Sequence, residues 1–141
     1  VIVRASGLCD QLIIAVLSNP SKTNLFSEQQ RIAMIELACQ SLSCHWVVES
    51  VSGLLVDYLK SLDVRHIVRG CRHAGDFASE MQLANMNQAM LSEMETLILP
   101  ARSPLSHIHA SLVRQVIAEK GAVVPFVPAE VAAYIQSINN E

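Results

Sequence analysis

The sequence predicts an α/β fold: a doubly wound parallel sheet flanked by helices. Two observations predict it. Apolar runs of strand length alternate with segments of helical period along the chain. Those runs are apolar at consecutive positions, as in Gln11 to Leu17 (QLIIAVL), which is the pattern of strands covered on both faces.

Taken in order, Val1 to Leu8 (VIVRASGL) reads as the end of a helix. A strand, a ligand-binding turn and that helix's first turns, roughly 20 residues, are expected ahead of it. The first strand of the sheet is therefore expected to be missing from these 141 residues, and the single domain to be N-terminally incomplete. Gln11 to Leu17 is a buried strand, and Asn19 to Asn24 (NPSKTN) is a loop by its turn residues. Ser27 caps a helix that runs to about Gln40, with Gln30 completing a capping box. His45 to Glu49 is the next strand, Leu54 to Leu62 a helix, and His66 to Val68 a third strand. Asp76 to Met90 is expected to be a helix with an apolar face at Phe77, Met81, Ala84 and Gln88, and Thr96 to Leu99 is a fourth strand. A helix from about His109 to Lys120 follows, and Pro128 opens a last one to about Ile138.

Composition narrows the function classes. A chain of this length buries about two-thirds of its unfolded surface in one core. With 51% hydrophobic and 16% charged residues it is not disordered. The net charge of −3 supplies no basic face to displace counterions, which argues against nucleic acid as the main partner. The four cysteines (Cys9, Cys39, Cys44, Cys71) lack zinc-type C-x-x-C pairing and read as reduced thiols. No run reaches transmembrane length and none reads as a signal peptide, so a soluble cytoplasmic protein is expected.

Basic residues collect in loops that follow strands. In open parallel sheets, ligands bind beyond the carboxyl ends of the strands. The loops at 18–25, 69–75 and 100–108 hold Lys22, Arg69, Arg72 and His107, the first histidine of the one His-x-His, whose second member is His109. Arginines at i and i+3 in a strand-to-helix loop can face one concave site, and Gly70 between them admits close backbone approach. The arrangement suits bound phosphate. His107 and His109 with Cys71 and His73 would make a soft metal site only as two pairs on neighbouring loops with no carboxylate partner. They are read instead as non-metal residues, His109 capping a helix or lying over an anion site. Met81, Met86, Met90 and Met94 read as core or subunit-contact residues.

Several segments together resemble bacterial phosphopantetheine adenylyltransferase. They are Ser18-Asn-Pro-Ser-Lys22, Gly53-Leu-Leu-Val-Asp-Tyr58, Val68-Arg-Gly-Cys-Arg72, Asp76-Phe77, Glu80-Met-Gln-Leu-Ala-Asn-Met-Asn87 and Ser106-His-Ile108-His-Ala-Ser111-Leu-Val-Arg114. The resemblance runs in one register over essentially the whole chain, and the R-G-x-R loop with its E-M-Q-L-A-x-M-N helix is its most specific part. It implies a Rossmann-like fold of the nucleotidyltransferase superfamily, usually assembled as a homohexamer. The implied activity is adenylyl transfer from ATP to 4′-phosphopantetheine with magnesium, giving dephospho-coenzyme A and pyrophosphate. Coenzyme A is then a candidate feedback ligand.

The resemblance assigns roles residue by residue. Lys22 matches the lysine that bridges the reacting phosphates, and Arg69 the arginine that holds the phosphopantetheine phosphate. Leu54, Leu55 and Asn87 match contacts of the pantetheine arm. Gly70, Cys71 and Arg72 match the loop that carries ATP, with Arg72 on the triphosphate, and Glu80 matches a nucleotide-site glutamate. Leu105, Ser106, His107, Ile108, His109, Ala110 and Ser111 match the loop and helix start over the β- and γ-phosphates. Two departures stand out. The family's T/H-x-G-H signature with its G-T-F-D-P-like turn is not among these residues, and Ile108-His109-Ala110-Ser111 replaces the usual I-S-S-S/T. The alternatives are a homologue that binds nucleotide or coenzyme A without turnover, and a subunit kept only for assembly.

Overall fold

A computed structural model describes residues 1–18 and 24–139. The elements in order are α1 (Ile2–Ala5), β1 (Gln11–Leu17), α2 (Glu28–Cys39), β2 (His45–Val51), α3 (Leu55–Ser61), β3 (His66–Cys71), α4 (Ala74–Met90) and β4 (Glu95–Pro100). A 3₁₀ turn (Ser103–Leu105), α5 (Ala110–Ala118) and α6 (Ala129–Asn139) complete the chain. Strands and helices alternate, and the strands pair in parallel, as the α/β reading requires.

Local chemistry accounts for most boundaries. Ser27 Oγ accepts from Gln30 N–H at 3.1 Å while Ser27 N–H donates to Gln30 Oε1 at 2.8 Å, closing the capping box of α2. Gly53 takes φ +83° in the turn from β2 to α3, a conformation that an L side chain resists. α3 and α5 both end through a left-handed residue, Asp63 (φ 52°) and Lys120 (φ 56°). The next amide then folds back, Val64 N–H to Leu59 O at 3.0 Å and Gly121 N–H to Val116 O at 2.8 Å.

The strands form two separate pairs rather than one continuous sheet. β1 lies beside β2 from Gln11↔His45 to Leu17↔Val51, and β3 beside β4 from His66↔Glu95 to Cys71↔Pro100. Residues of β1 and β3, with Leu97 of β4 but none of β2, line an apolar trough of about 650 Å³ bounded also by α1 and α3. The unpaired edges of β1 and β3 therefore both border the trough, and such edges are templates for a further strand.

One core cluster joins Val123, Val131, Ala132 and Ile135 to Met34 and Leu37 of α2 and to Val116 and Ile117 of α5. Met94, Val56 and Cys39 are the largest fully buried side chains. Several boundaries differ from the sequence reading, among them β2, which runs past Glu49 to Val51. β3 does not stop at Val68, because pairing with β4 carries it through Arg69 and Gly70 to Cys71. α4 starts at Ala74 rather than Asp76, since His73 caps it. α5 runs over Ala110–Ala118 with His109 as its cap, not over His109 to Lys120. α4 lies along β3 and β4, yet none of its residues is buried. Phe77 (47% exposed) and Met86 (60%) leave an apolar surface facing outward.

Candidate active site

The end of β3 and the first turns of α4 form a compact charged cluster. Arg69, the fourth residue of β3, donates Nε to Glu80 Oε2 at 2.6 Å and Nη2 to Glu80 Oε1 at 3.1 Å. Arg72, just beyond the strand, donates Nε to Asp76 Oδ2 at 2.8 Å and Nη2 to Asp76 Oδ1 at 3.1 Å. The Arg72 backbone N–H also donates to Asp76 Oδ2, at 3.1 Å. Asp76 and Glu80 are four residues apart on one helix, so they share a face and gather both arginines there. Hydrogen bonds from Arg72 hold the Asp76 carboxyl below the usual carboxylate range, and Asp76 in turn raises Arg72 above its ordinary value.

His73 builds the start of α4. Its Nδ1 accepts from Asp76 N–H at 3.2 Å, and its Nε2 lies 3.4 Å from Asp76 Oδ1. Asp76 is thus held by main chain and side chain at a helix N-terminus, where negative charge is favoured. His109 does the same for α5: Leu112 N–H donates to its Nδ1 at 3.2 Å. That nitrogen is consequently an acceptor, and the Ser111 hydroxyl 2.7 Å away donates to it. One free amide of the helix start is therefore satisfied by the imidazole.

The β3–β4 register brings the two loops together. Cys71 O accepts from Ala101 N–H at 2.7 Å, tying the R-G-C-R loop to the segment that leads into Leu105, Ser106, His107 and Ile108. Leu105, Ser106, His107, Ala110 and Ser111 are exposed there, and Ile108 is half-buried. Arg4 of α1 donates Nη1 to Pro100 O at 2.5 Å, so α1 closes over the same strand ends. At Gly70 the close approach is made by Val1, whose Cγ2 lies 2.5 Å from where a Cβ would stand.

Other residues singled out from the sequence lie apart from this cluster. Asn87 is half-buried on α4, about 10 Å along the helix axis from Glu80. Leu54, 58% exposed, is the N-cap of α3, and Leu55 beside it lines the trough. Lys22 lies outside the described residues. Among the described residues no three His, Cys, Asp or Glu gather as metal ligands. Sequence reasoning missed Asp76 as the partner of Arg72, although an arginine four residues before an aspartate at a helix start is a signal for that pair. It also missed His73 as a cap, because histidine is not among the common capping residues.

The trough has a polar group of its own. Tyr58 Oη in α3 donates to Glu49 Oε2 in β2 at 2.6 Å. Burial, then that hydrogen bond, then the carboxylate's charge push the phenol up to about 12.

Comparison with known proteins gives the family. A family model described as cytidylyltransferase-like matches residues 1–116. The phosphopantetheine adenylyltransferase of Beijerinckia indica subsp. indica is 44% identical over 137 residues, covering 94% of this chain and 82% of the relative. That of Methylocella silvestris is 37% identical over 141 residues, covering 97% and 84%. The enzyme so named from a Synechococcus species is 43% identical over 131 residues, covering 93% and 82%.

The chain belongs to the phosphopantetheine adenylyltransferase family. The α/β architecture, with parallel strands alternating with helices, agrees with membership of this nucleotidyltransferase group. Among the described residues no helix is long and apolar enough to cross a membrane.

Proposed function

We propose that the protein transfers the adenylyl group of ATP to 4′-phosphopantetheine, giving dephospho-coenzyme A and pyrophosphate. The observation that carries this reading is the pair of arginines, Arg69 and Arg72, gathered on one face of α4 in a chain of this family. Two phosphate-bearing substrates must be brought together for the reaction, and guanidinium groups bind phosphate through paired N–H donors.

A phosphate oxygen of phosphopantetheine attacks the α-phosphorus of ATP. The new P–O bond forms as the bond from the α-phosphorus to the α–β bridging oxygen breaks, and pyrophosphate leaves. A phosphate anion is already nucleophilic, so alignment and charge neutralisation carry the catalysis. In this reading Arg69 takes the phosphopantetheine phosphate and Arg72 the triphosphate, with Lys22 bridging the reacting groups. The main chain at Gly70 and Cys71 borders the nucleotide together with Glu80, which also holds Arg69. Leu105, Ser106, His107, Ile108, His109, Ala110 and Ser111 border the β- and γ-phosphates, near the amides at the start of α5. Leu54, Leu55 and Asn87 line the pantetheine arm.

Magnesium enters on the triphosphate. Asp76 and Glu80, the carboxylates nearest the arginines, are engaged by them, and magnesium commonly binds phosphates and water rather than an all-protein cage. Coenzyme A carries both an adenine nucleotide and a pantetheine arm, which makes it a competitor at this site and a feedback ligand. The exposed apolar side of α4, with Phe77 and Met86, supports a homo-oligomer, of which the hexamer is the family's form. The four free thiols suit a reducing cytoplasm.

The test is pyrophosphate release by the full-length protein. Release that requires both ATP and phosphopantetheine is expected. Binding of both ligands with no release would move the protein to the alternative, a non-catalytic binding homologue.

A further inference from the structure

Each arginine of the cluster is gripped at the same edge of its guanidinium. Asp76 takes Nε and Nη2 of Arg72, and Glu80 takes Nε and Nη2 of Arg69. The Nη1 amino group and the outer N–H of Nη2 have no acceptor among the described residues in either case. A guanidinium can hold a carboxylate on its Nε edge and still present a second pair of parallel donors at its Nη1–Nη2 end. We propose that Asp76 is a positioning residue for adenylyl transfer, fixing Arg72 by its Nε edge as Glu80 fixes Arg69, so that both guanidinium ends are presented ready-oriented to the substrates' phosphates.

This rests on the functional reading above. Several features favour positioning over a surface ion pair. Asp76 also accepts from the Arg72 main-chain N–H, so it fixes the root of the side chain as well as its head. It is itself anchored, by His73 Nδ1 at its backbone and His73 Nε2 near its carboxylate. The Asp76 and Glu80 side chains are only 24% and 16% exposed, which limits competition by water. An unrestrained arginine would lose rotamer freedom on binding phosphate, whereas one already held by its edge loses less.

A latch is the opposing reading: the carboxylates would mask the arginines and have to be displaced. The two differ in sign. Positioning predicts that Asp76→Asn, which keeps the shape but loses the charge, weakens ATP binding about tenfold, the lower range for one charge-assisted bond. Phosphopantetheine binding should stay within about twofold, because Arg69 keeps Glu80. Glu80→Gln should weaken phosphopantetheine binding about tenfold, acting through Arg69.

The experiment measures dissociation constants for a non-hydrolysable ATP analogue and for phosphopantetheine, each alone, by calorimetry on the full-length native protein and both variants. KM values and the thermal midpoint accompany them. A double variant, Arg72→Ala with Asp76→Asn, should bind the analogue no worse than Arg72→Ala alone, since Asp76 acts through Arg72. Arg72→Lys keeps the charge but loses the fork and should cost ATP affinity with Asp76 intact, which keeps the test available should Asp76→Asn not fold. Tighter binding by Asp76→Asn, equal loss for both ligands, additive losses in the double variant, or an Arg72→Lys protein of native affinity would each overturn the proposal. A native protein that binds neither ligand would instead overturn the functional reading itself.

Discussion

Removing the hydroxyl of Tyr58 perturbs one contact whose size follows from its geometry. Oη donates to Glu49 Oε2 at 2.6 Å, linking α3 to β2 on the wall of the trough. A hydrogen bond to a charged acceptor contributes about 1.5–3 kcal/mol net. Tyr58 is only half-buried, so Glu49 regains water when the hydroxyl goes, and Tyr58→Phe should cost about 1–2 kcal/mol at pH 7. The phenol is pushed up to about 12, against an unfolded value near 10. A raised value means that the stabilisation is fully present below pH 10 and is lost as pH rises through 12. At pH 11 the unfolded chain is largely ionised at this position and the folded one largely protonated, which removes about 1.4 kcal/mol, or roughly 1 kcal/mol after solvent screening. Urea unfolding of both proteins at pH 7 and pH 11 measures it. The variant's deficit should shrink by roughly 1 kcal/mol at the higher pH, and alkaline titration of phenolate absorbance should lose its step near pH 12. A deficit independent of pH, or a variant as stable as the native protein at pH 7, would refute the contact.

Two further outcomes follow from the site and the core. Arg69→Ala should raise KM for phosphopantetheine and Arg72→Ala should raise KM for ATP, each by roughly 10–100-fold, read from initial rates with one substrate varied at a time. Met94→Ala, at a side chain 2% exposed, should lose about 2–5 kcal/mol in denaturant unfolding with little change in either KM.

The parts of the fold legible in the sequence are those fixed by local chemistry. QLIIAVL can hardly be other than a strand, although only Val16 of it is buried, and Ser27 with Gln30 announces α2 three residues apart. What escaped a local reading depends on partners far along the chain. The β-branched run stops at Val68, but β4 supplies hydrogen bonds through Cys71↔Pro100 and so draws Arg69 and Gly70 into the strand. Glu80 meets Arg69 across eleven residues and a strand-to-helix turn, a separation that no helical spacing rule covers. The face expected on α4 at Phe77 and Met81 is exposed in the monomer, because periodicity gives a side of a helix and not what covers it. The division of the strands into two pairs is likewise a property of their edges, which carry no signature in side-chain pattern. Within the site, residue types pointed to phosphate through Arg69 and Arg72, whereas the carboxylates that orient them became evident only from the hydrogen bonds.

Following the α-phosphorus of ATP tests the proposed reaction most directly. ATP labelled at that atom, incubated with phosphopantetheine, magnesium and the full-length protein, should place the label in dephospho-coenzyme A, while label at the γ-position should leave in pyrophosphate. Label from the γ-position appearing on phosphopantetheine, or no transfer by a protein that binds both substrates, would contradict adenylyl transfer.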